Sequence, residues 1–458
     1  MRDIIVSMII VGLMPTCYRR PFVGLVVFSW LAYMRVQDLT WGFAKYQRWS
    51  YYVAILTAVG FVVSRERKRW FLPDPRCYIM IFLALWIAMG VVLSVQPSKY
   101  QVTRLFEFFK VIAIALFTTS VVSTKERLRV MLWVIALSFG FYGVKSGIWG
   151  VVTLGAPILA GPGGMIADNN DFALAIAMCV PMLFYLGWTE RRQELKRAFF
   201  VALPLSVITV VSTHSRGGFL ALSCGIAVMV WRSRNRFLGI GIAAVLGIAG
   251  LLLAPPEYIE RLKTIKDYKT EGSAAGRIRA WGIATRMATD NPFFGVGLNK
   301  FRWHYLTYNP NPLKKEIDGT AIIVAHSSYF QIWAECGTPA LLIFFILMFS
   351  SLWTCWRIRK EATRRYMTSW IINYATMFEA SMVTFMVGTS FLNRAHFDLF
   401  YHWVALIIVF GHLADKEMKN PVKYPVRDGQ QRSELRRVQK TGFDRKERRV
   451  SAFLPRGA

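Results

Sequence analysis

The sequence predicts an all-α, polytopic membrane protein with about 12 or 13 transmembrane helices and one large periplasmic loop that contains short helices. Its 458 residues are 54% hydrophobic and only 18% charged, whereas soluble chains are about one quarter charged. The apolar residues form runs of roughly 15 to 24, which become helices because the hydrocarbon layer offers no water to backbone groups. This pattern excludes a soluble enzyme, a disordered chain, a fibrous repeat and a small disulfide scaffold.

The apolar runs set the positions of the predicted helices. They lie at about 3–16, 22–35, 50–64, 78–94, 105–123, 130–154, 172–188, 198–213, 217–231, 237–254, 335–353, 367–390 and 397–413. The first two runs are short enough to be tilted or half-inserted, which leaves the number of helices at 12 or 13.

The distribution of charge predicts the orientation of the chain. The net charge is +29, from 56 Lys and Arg against 27 Asp and Glu. In a soluble protein this excess would suggest nucleic acid, but here most of it lies in alternate short loops, where the positive-inside rule places it in the cytoplasm. The basic loops contain Arg19–Arg20, Arg65–Arg69, Lys125–Arg129, Arg191–Arg197, Arg232–Arg236 and Arg357–Arg365. We therefore expect no nucleic-acid partner, and we expect the intervening loops to face the periplasm.

The predicted organisation has four parts. Residues 1–254 form an N-terminal transmembrane helix bundle, 255–325 a large periplasmic loop, 326–413 the C-terminal transmembrane helices and 414–458 a basic cytoplasmic tail. The tail has dense mixed charge without apolar periodicity, so we expect it to be disordered. The six cysteines lack metal-ligand or disulfide spacing, and the N-terminus lacks the features of a removable signal peptide.

The first candidate site motif joins two apolar spans with almost no loop. It reads Ser212-Thr213-His214-Ser215-Arg216-Gly217-Gly218-Phe219. The two glycines permit a tight reversal and a close backbone approach, which would hold Arg216 at a fixed depth. An arginine here also has an ordinary explanation, because its side chain can reach lipid phosphates.

The second motif is a predicted amphipathic helix in the long loop, from Gly276 to Ala288. Its apolar face is predicted to contain Ile278, Trp281, Thr285 and Ala288, as in a helix lying on a membrane surface. Arg277 is predicted in the first turn, where free amide groups and a guanidinium favour a phosphate-type anion. The ordinary alternative is an interfacial helix with solvated arginines, including Arg279.

The third motif, Ala325-His326-Ser327-Ser328-Tyr329, lies where the chain re-enters the bilayer. His326 is a candidate proton acceptor because an unperturbed imidazole titrates near neutral pH. Glu335 lies within about 14 Å of it along a helix. An ordinary interfacial histidine is the alternative.

The fourth motif is the acidic sequence Asp168-Asn169-Asn170-Asp171. Its carboxylates and amides can bind sugar hydroxyls or a divalent cation. The ordinary alternative is helix capping by Asn170 or Asp171.

Four charges lie within the apolar spans, and intramembrane charges suggest function by default. Glu107 and Lys110 are three residues apart, so we expect them to pair on one helix face. Lys145 and Glu379 are the other two.

Together these motifs resemble the O-antigen ligase/polymerase superfamily of bacterial envelope glycosyltransferases. The residues that carry the resemblance are Ser215-Arg216-Gly217-Gly218, Gly276-Arg277, Trp281, Asp290-Asn291-Pro292, Gly295-Val296-Gly297, His326-Ser327, Tyr329, Glu335 and Gly337. Further segments are more similar to O-glycosylation ligases associated with exosortase A systems. They are Met1-Arg2-Asp3-Ile4-Ile5, Trp41-Gly42-Phe43 and Asp168-Asn169-Asn170 followed by Phe172-Ala173-Leu174-Ala175. One departure is Ser327, where Asn is common.

The resemblance implies an enzyme of the bacterial inner membrane whose active site faces the periplasm. It implies a glycan donor on undecaprenyl diphosphate, a lipid, glycan or protein hydroxyl acceptor, contact with membrane lipids, and inverting transfer without a cofactor or metal. Arg216 and Arg277 would take the positions that contact diphosphate, and His326 the catalytic histidine position. We add a substrate-binding set around them, consisting of Asp168, Asn170, Arg279, Trp281, Tyr329 and Glu335.

Three other functions remain open on the sequence alone. A polymerase of the same superfamily would extend the glycan instead of transferring it to a different acceptor. A flippase or transporter would need cationic residues along a central pathway, for which Lys110 and Lys145 are the candidates. A non-enzymatic scaffold would tolerate loss of the periplasmic arginines and histidine.

Overall fold

The computed structural model describes residues 1–64, 69–93, 98–233, 236–237, 239–241, 272–319 and 322–419. Most of the predicted span at 237–254, the basic residues 65–68, the long loop up to 271 and the tail beyond 419 lie outside the described residues. Numbered within the described part, the elements are α1 (Arg2–Arg19), α2 (Pro21–Met34), α3 (Phe43–Tyr46), α4 (Trp49–Val63), α5 (Pro75–Val92), α6 (Lys99–Val121), α7 (Lys125–Val152), β1 (Ala160–Gly163), β2 (Ile166–Asp168), α8 (Asn169–Thr189), α9 (Gln193–Ser212), α10 (Arg216–Arg232), α11 (Gly272–Asp290), α12 (Phe301–His304), α13 (Lys314–Ile317), α14 (Ser328–Arg365), α15 (Trp370–Thr389) and α16 (Asp398–Met418). A 3-10 helix (Val36–Leu39) joins α2 to α3.

The predicted fold class is confirmed, because the molecule is an all-α polytopic membrane protein. Twelve of the thirteen predicted spans coincide with a described helix. Six described helices are both long and apolar enough to cross a membrane, namely α5, α7, α8, α9, α14 and α16. Two more, α2 and α4, are apolar but shorter. The total of 12 or 13 membrane crossings stays a prediction.

Several helices begin where a polar side chain caps free amide groups. The carboxylate of Asp74 accepts a hydrogen bond from the Arg76 amide, and Pro75 supplies the first residue of α5. Ser98 and Gln101 form a reciprocal capping box at the start of α6. Thr124 caps α7, and Ser369 caps α15. These caps fix where each apolar run enters the bundle.

The bundle is built around α8 and α16, whose residues are buried on nearly all sides. Helices α9, α10 and α15 pack against α8, while α6 and α14 pack against α16. The outer helices expose large apolar side chains such as Phe82, Leu85 and Trp353, as expected for surfaces that face lipid.

Helix α14 is broken at Gly337, whose φ is 83° and ψ is 176°. The loop before it inserts here: the amide of Val296 donates to the Ala334 carbonyl at 2.8 Å, and the Thr338 amide donates to the Pro292 carbonyl at 2.8 Å. A Cβ atom at position 337 would lie 2.0 Å from the Phe293 carbonyl oxygen, so only glycine fits. The loop and the first turns of α14 therefore form one structure.

The two ends of the bundle differ in chemistry. The histidine end is where α8, α10 and α14 begin, next to His214 and His326. At the opposite end, the basic end, Arg129 pairs with Glu190 at 2.8 Å. The same end also holds the starts of α7, α9 and α15 and the ends of α8, α14 and α16. This arrangement agrees with the alternation of basic loops in the sequence.

The charges within the spans are placed differently from the sequence prediction. The predicted pairing of Glu107 with Lys110 is wrong, because Glu107 accepts a hydrogen bond from Arg104, one turn earlier, at 2.8 Å. Glu379 lies at the basic end, where Arg232 donates two hydrogen bonds to its carboxylate. Lys110 and Lys145 lie on exposed faces of α6 and α7.

Candidate functional site

Four segments far apart in sequence meet at the histidine end. The Asn169 side chain donates to the Thr213 carbonyl at 3.1 Å, which ties the start of α8 to the start of α10. The hydroxyl of Ser328 donates to the Leu392 carbonyl at 2.8 Å and accepts from the Arg394 amide at 2.8 Å. The start of α14 is thereby fixed to the loop between α15 and α16.

His326 lies on a strained turn at the start of α14. Its φ is 46°, a left-handed conformation that non-glycine residues rarely adopt. The indole of Trp281 donates to the carbonyl of the preceding Ala325 at 2.9 Å, and this contact helps to hold the turn. Strain of this kind persists when the surroundings enforce it, and it is found most often at functional sites.

Two charges of opposite sign act on the ring of His326. Burial lowers its pKa below 6.5, and the positive charge of Arg277 lowers that pKa further, while Asp168 opposes the shift. The described residues offer no hydrogen-bond partner to this imidazole. At neutral pH the ring is therefore uncharged and one of its nitrogens has a lone pair that can accept a proton.

Arg277 reaches this site from α11, which packs along α14. Helix α11 begins at Gly272, so the prediction that Arg277 lies in the first turn is wrong. The predicted apolar face is also wrong in part, since Ile278 is 51% exposed. The buried residues of the helix are Ala280, Ile283, Ala284, Met287 and Ala288. The face is rotated because α11 packs on the protein instead of lying on a membrane surface.

Arg216 is the first residue of α10, and Ser215 caps this helix by accepting from the Gly218 amide at 3.1 Å. A Cβ atom at position 218 would lie 2.5 Å from the Cβ of Ala173, so glycine permits α10 to start directly against α8. Gly217 lies against Phe391, in the same loop as Arg394. Arg216 therefore begins its helix at the end of the bundle that holds His326.

A small hairpin presents the acidic motif. Strands β1 and β2 pair in antiparallel fashion and lead directly into α8. The cap of this helix is Asp168, which accepts from the Asn170 amide at 2.9 Å and from the Asn170 side chain at 3.1 Å. The prediction of capping by Asn170 or Asp171 is therefore wrong, because the helix starts one residue before Asn170.

Asp171 is buried and forms a two-pronged ion pair with Arg394. Its carboxylate is thereby occupied, which leaves Asp168 as the exposed carboxylate of the motif. Within the described ranges, no group of three or more His, Cys, Asp or Glu side chains has an arrangement suited to a metal ion.

Arg394 was not identified as a site residue from the sequence. Asp168 and Asp171 both raise its pKa against the effect of burial, which places it beside the acidic motif. The sequence does contain a signal for Arg394. This arginine lies between two apolar spans, on the side of the membrane where the positive-inside rule predicts few arginines.

The polar groups of four predicted substrate-binding residues form contacts with other parts of the protein. Arg279 pairs with Glu316 at 3.2 Å, and the Trp281 indole is bound to Ala325 as described above. The Tyr329 hydroxyl donates to the Met386 carbonyl at 2.8 Å. Glu335 is only 2% exposed and accepts from the Phe301 amide at 3.3 Å. These contacts support the backbone around His326 and Arg277.

Two family models match the chain. Residues 199–345 match the family described as O-antigen ligase. The match supports the O-antigen ligase superfamily. Residues 1–187 match a family of unknown function. No curated protein matches the chain.

The O-antigen ligase match includes Arg216, Arg277 and His326, whereas Asp168 and Asp171 lie in the other matched segment. The activity that it supports is that of a membrane glycosyltransferase-like ligase. It implies a lipid-linked glycan and membrane lipids as partners in general terms.

Proposed function

We propose that this O-antigen ligase-like protein transfers a glycan from undecaprenyl diphosphate to a hydroxyl acceptor on the periplasmic side of the inner membrane. The transfer inverts the anomeric carbon and needs no metal. The observation that carries the proposal is the uncharged ring of His326, which lies in the segment that matches the O-antigen ligase family and is influenced by the charges of Arg277 and Asp168.

The arginines compensate the negative charge that develops as the bond between the glycan and the diphosphate breaks. Loss of the glycan leaves negative charge on the oxygens of the lipid diphosphate. The planar guanidinium groups of Arg216 and Arg277 can each bind two such oxygens and stay charged at every physiological pH. Placed against the departing group, they stabilise the transition state more than the bound substrate.

His326 supplies the proton acceptor. The lone pair of its neutral ring takes the proton of the acceptor hydroxyl as the oxygen attacks the anomeric carbon. The negative charge of Asp168 favours the imidazolium that forms. The diphosphate leaves without protonation by a carboxylic acid, because its charge is already spread over several oxygens.

The remaining predicted residues divide into two groups. We propose that Asp168 and Asn170 of the acidic motif bind the sugar hydroxyls of the donor. Arg279, Trp281, Tyr329 and Glu335 become positioning residues, since their polar groups are bound within the protein.

We also propose a relation to ligases associated with exosortase A systems. Two segments that carry this resemblance lie against each other. The Asp3 carboxylate accepts from the amides of Gly42 at 2.9 Å and Ala44 at 3.1 Å, and the Arg2 guanidinium lies 4.7 Å from the Trp41 ring centre. Their contact gives one physical reason for the two motifs to occur together.

A polymerase of the same superfamily is the main alternative and differs only in its acceptor. A flippase is less well supported, because Lys110 and Lys145 lie on exposed helix faces and not along a pathway through the described bundle. Glycans of a deletion strain separate these functions. A ligase defect accumulates full-length lipid-linked glycan, a polymerase defect accumulates single repeat units, and a flippase defect accumulates intermediates in the cytoplasmic leaflet.

The direct test uses the purified full-length protein with a lipid diphosphate glycan and an acceptor, with and without EDTA. We expect equal transfer in both conditions, because the arginines supply the charge compensation. Activity that EDTA abolishes and Mg²⁺ restores would move the central role to the acidic motif and contradict the proposal.

Sidedness is tested separately. A cysteine placed at Lys314 should react with a membrane-impermeant reagent added from the periplasm, and a cysteine at Arg436 should not. The reverse labelling pattern would contradict both the topology and the mechanism.

A further inference from the structure

A cationic cavity opens at the basic end, beside the last turns of α14 and the end of α16. Its volume is about 580 Å³. Five cationic and two acidic side chains line it, so its wall carries a net charge of +3. The cations are Arg357, Lys360, Arg364, Arg365 and Lys419.

Both carboxylates of this cavity are already occupied. Arg357 donates two hydrogen bonds to Asp415, at 3.1 and 2.7 Å. Arg365 pairs with Glu361 at 2.6 Å. The other three cations, Lys360, Arg364 and Lys419, form no ion pair with a described residue. Among the described residues, no carboxylate neutralises these three charges, which can therefore act on a ligand.

Two tryptophans beside the cavity indicate that it lies at the depth of lipid headgroups. Its wall includes Trp356, whose ring centre lies 4.6 Å from the Lys360 ammonium nitrogen and 4.8 Å from the ring centre of Trp353. Trp353 is 61% exposed, and tryptophans of this kind mark the boundary between hydrocarbon and water. Met418 adds a further apolar surface to the same wall.

We propose that this cavity binds the headgroup of an anionic phospholipid. The phosphodiester lies among Lys360, Arg364 and Lys419, and the glycerol and upper acyl chains lie against Trp356 and Met418. Basic pockets between helices next to a membrane surface recognise lipid phosphates in this way. The site is at the opposite end of the bundle from His326 and does not depend on the proposed transfer reaction.

A neighbouring cavity of about 270 Å³ provides an internal comparison. It shares Arg357 and Asp415 with the first cavity and also contains Arg76. Arg76 is bound to Asp74 at 2.8 Å, so each arginine of this second cavity faces a carboxylate. We expect it to bind no anionic lipid.

The test compares full-length protein with two double variants that each remove two positive charges. Lys360→Gln with Arg364→Gln alters the cavity, while Arg191→Gln with Arg192→Gln alters exposed residues at the same end that do not line it. Native mass spectrometry counts phosphatidylglycerol molecules retained by delipidated protein at increasing lipid concentration. Each charge near a membrane surface changes affinity about five-fold, so the cavity variant should bind at least about ten-fold more weakly.

The control variant should retain wild-type binding, and millimolar inorganic phosphate should not displace the lipid. Equal weakening in both double variants would show a general effect of surface charge and overturn the proposal. Unchanged binding in the cavity variant would overturn it as well. Displacement by inorganic phosphate alone would identify a free-anion site instead. Each single variant repeats the measurement if the double variant is unstable.

Discussion

Two histidines at the same end of the molecule share a left-handed backbone conformation, but only one of them is assigned a part in the proposed reaction. His214 has a φ of 53° and His326 a φ of 46°, and each precedes a buried serine at the start of a helix. The His214 ring donates to the Gly155 carbonyl at 3.3 Å. The charges of Arg277 and Asp168 act on the His326 ring. A shared backbone shape therefore does not by itself identify a candidate base; the case for His326 depends on the charges that act on its ring.

The largest expected effect is the difference in transfer rate between the alanine variants of these two histidines. His326→Ala should reduce transfer about 10²- to 10⁴-fold, because the acceptor hydroxyl loses its proton acceptor. His214→Ala should keep transfer within a few-fold of wild type, because the proposed reaction assigns no proton transfer to His214, whose ring donates to the Gly155 carbonyl. Rates are measured on purified proteins with equal melting temperatures. Equal losses in both variants would remove the distinction between the turns.

The next effect concerns the arginines near each turn. Arg216→Lys and Arg277→Lys should each reduce transfer about 10²- to 10³-fold despite retaining the charge, because an ammonium cannot bind two oxygens as a guanidinium does. Arg286→Lys is the matched control, since Arg286 is exposed and donates to the Tyr308 carbonyl at 3.3 Å. Normal transfer by both Lys variants at normal protein levels would refute the diphosphate role.

The ion pair behind the His326 turn should affect stability more than chemistry. Asp171→Asn leaves Arg394 without its buried partner and should lower the free energy of unfolding by about 3 kcal/mol. Adding Arg394→Gln should restore part of that loss, and thermal unfolding in detergent measures both. Additive losses in the double variant would show that the two side chains do not depend on each other.

The smallest effect is a change in titration. His326 should titrate below pH 6.5 and be neutral above that range, so transfer should decline as the pH falls through its pKa. Arg277→Gln removes a charge that lowers this pKa and should raise it, while Asp168→Asn should lower it further. Nuclear magnetic resonance of the six histidines, assigned with His326→Ala, follows both shifts without an activity assay. Shifts in the same direction would mean that these charges do not act on the ring.

The sequence predicted the helices well because each apolar run carries its own signal. Local caps such as Ser98 and Thr124 are also visible in the chain. The face of α11 could not be predicted, because its burial depends on α14 and the folded loop. The Asp171–Arg394 pair joins residues 223 apart, and only the three-dimensional structure brings them together.

The candidate site shows the same division. Arg216, Arg277 and His326 stand out by residue type and position in the sequence, and their roles stay predictions. The internal partners of Arg279, Trp281, Tyr329 and Glu335 are set by tertiary contacts, so these partners could not be predicted from the sequence.

The break in α14 has a consequence for protein engineering. Because Val296 and Thr338 join the loop to the helix backbone on both sides of Gly337, a chimera that exchanges only residues 255–325 with a relative would pair a foreign loop with a native helix start. The exchanged segment should extend through about residue 340, so that the loop of the relative is transferred together with its own helix break. Screens that shuffle loops among such proteins should recover functional hybrids mainly from crossovers placed after that break.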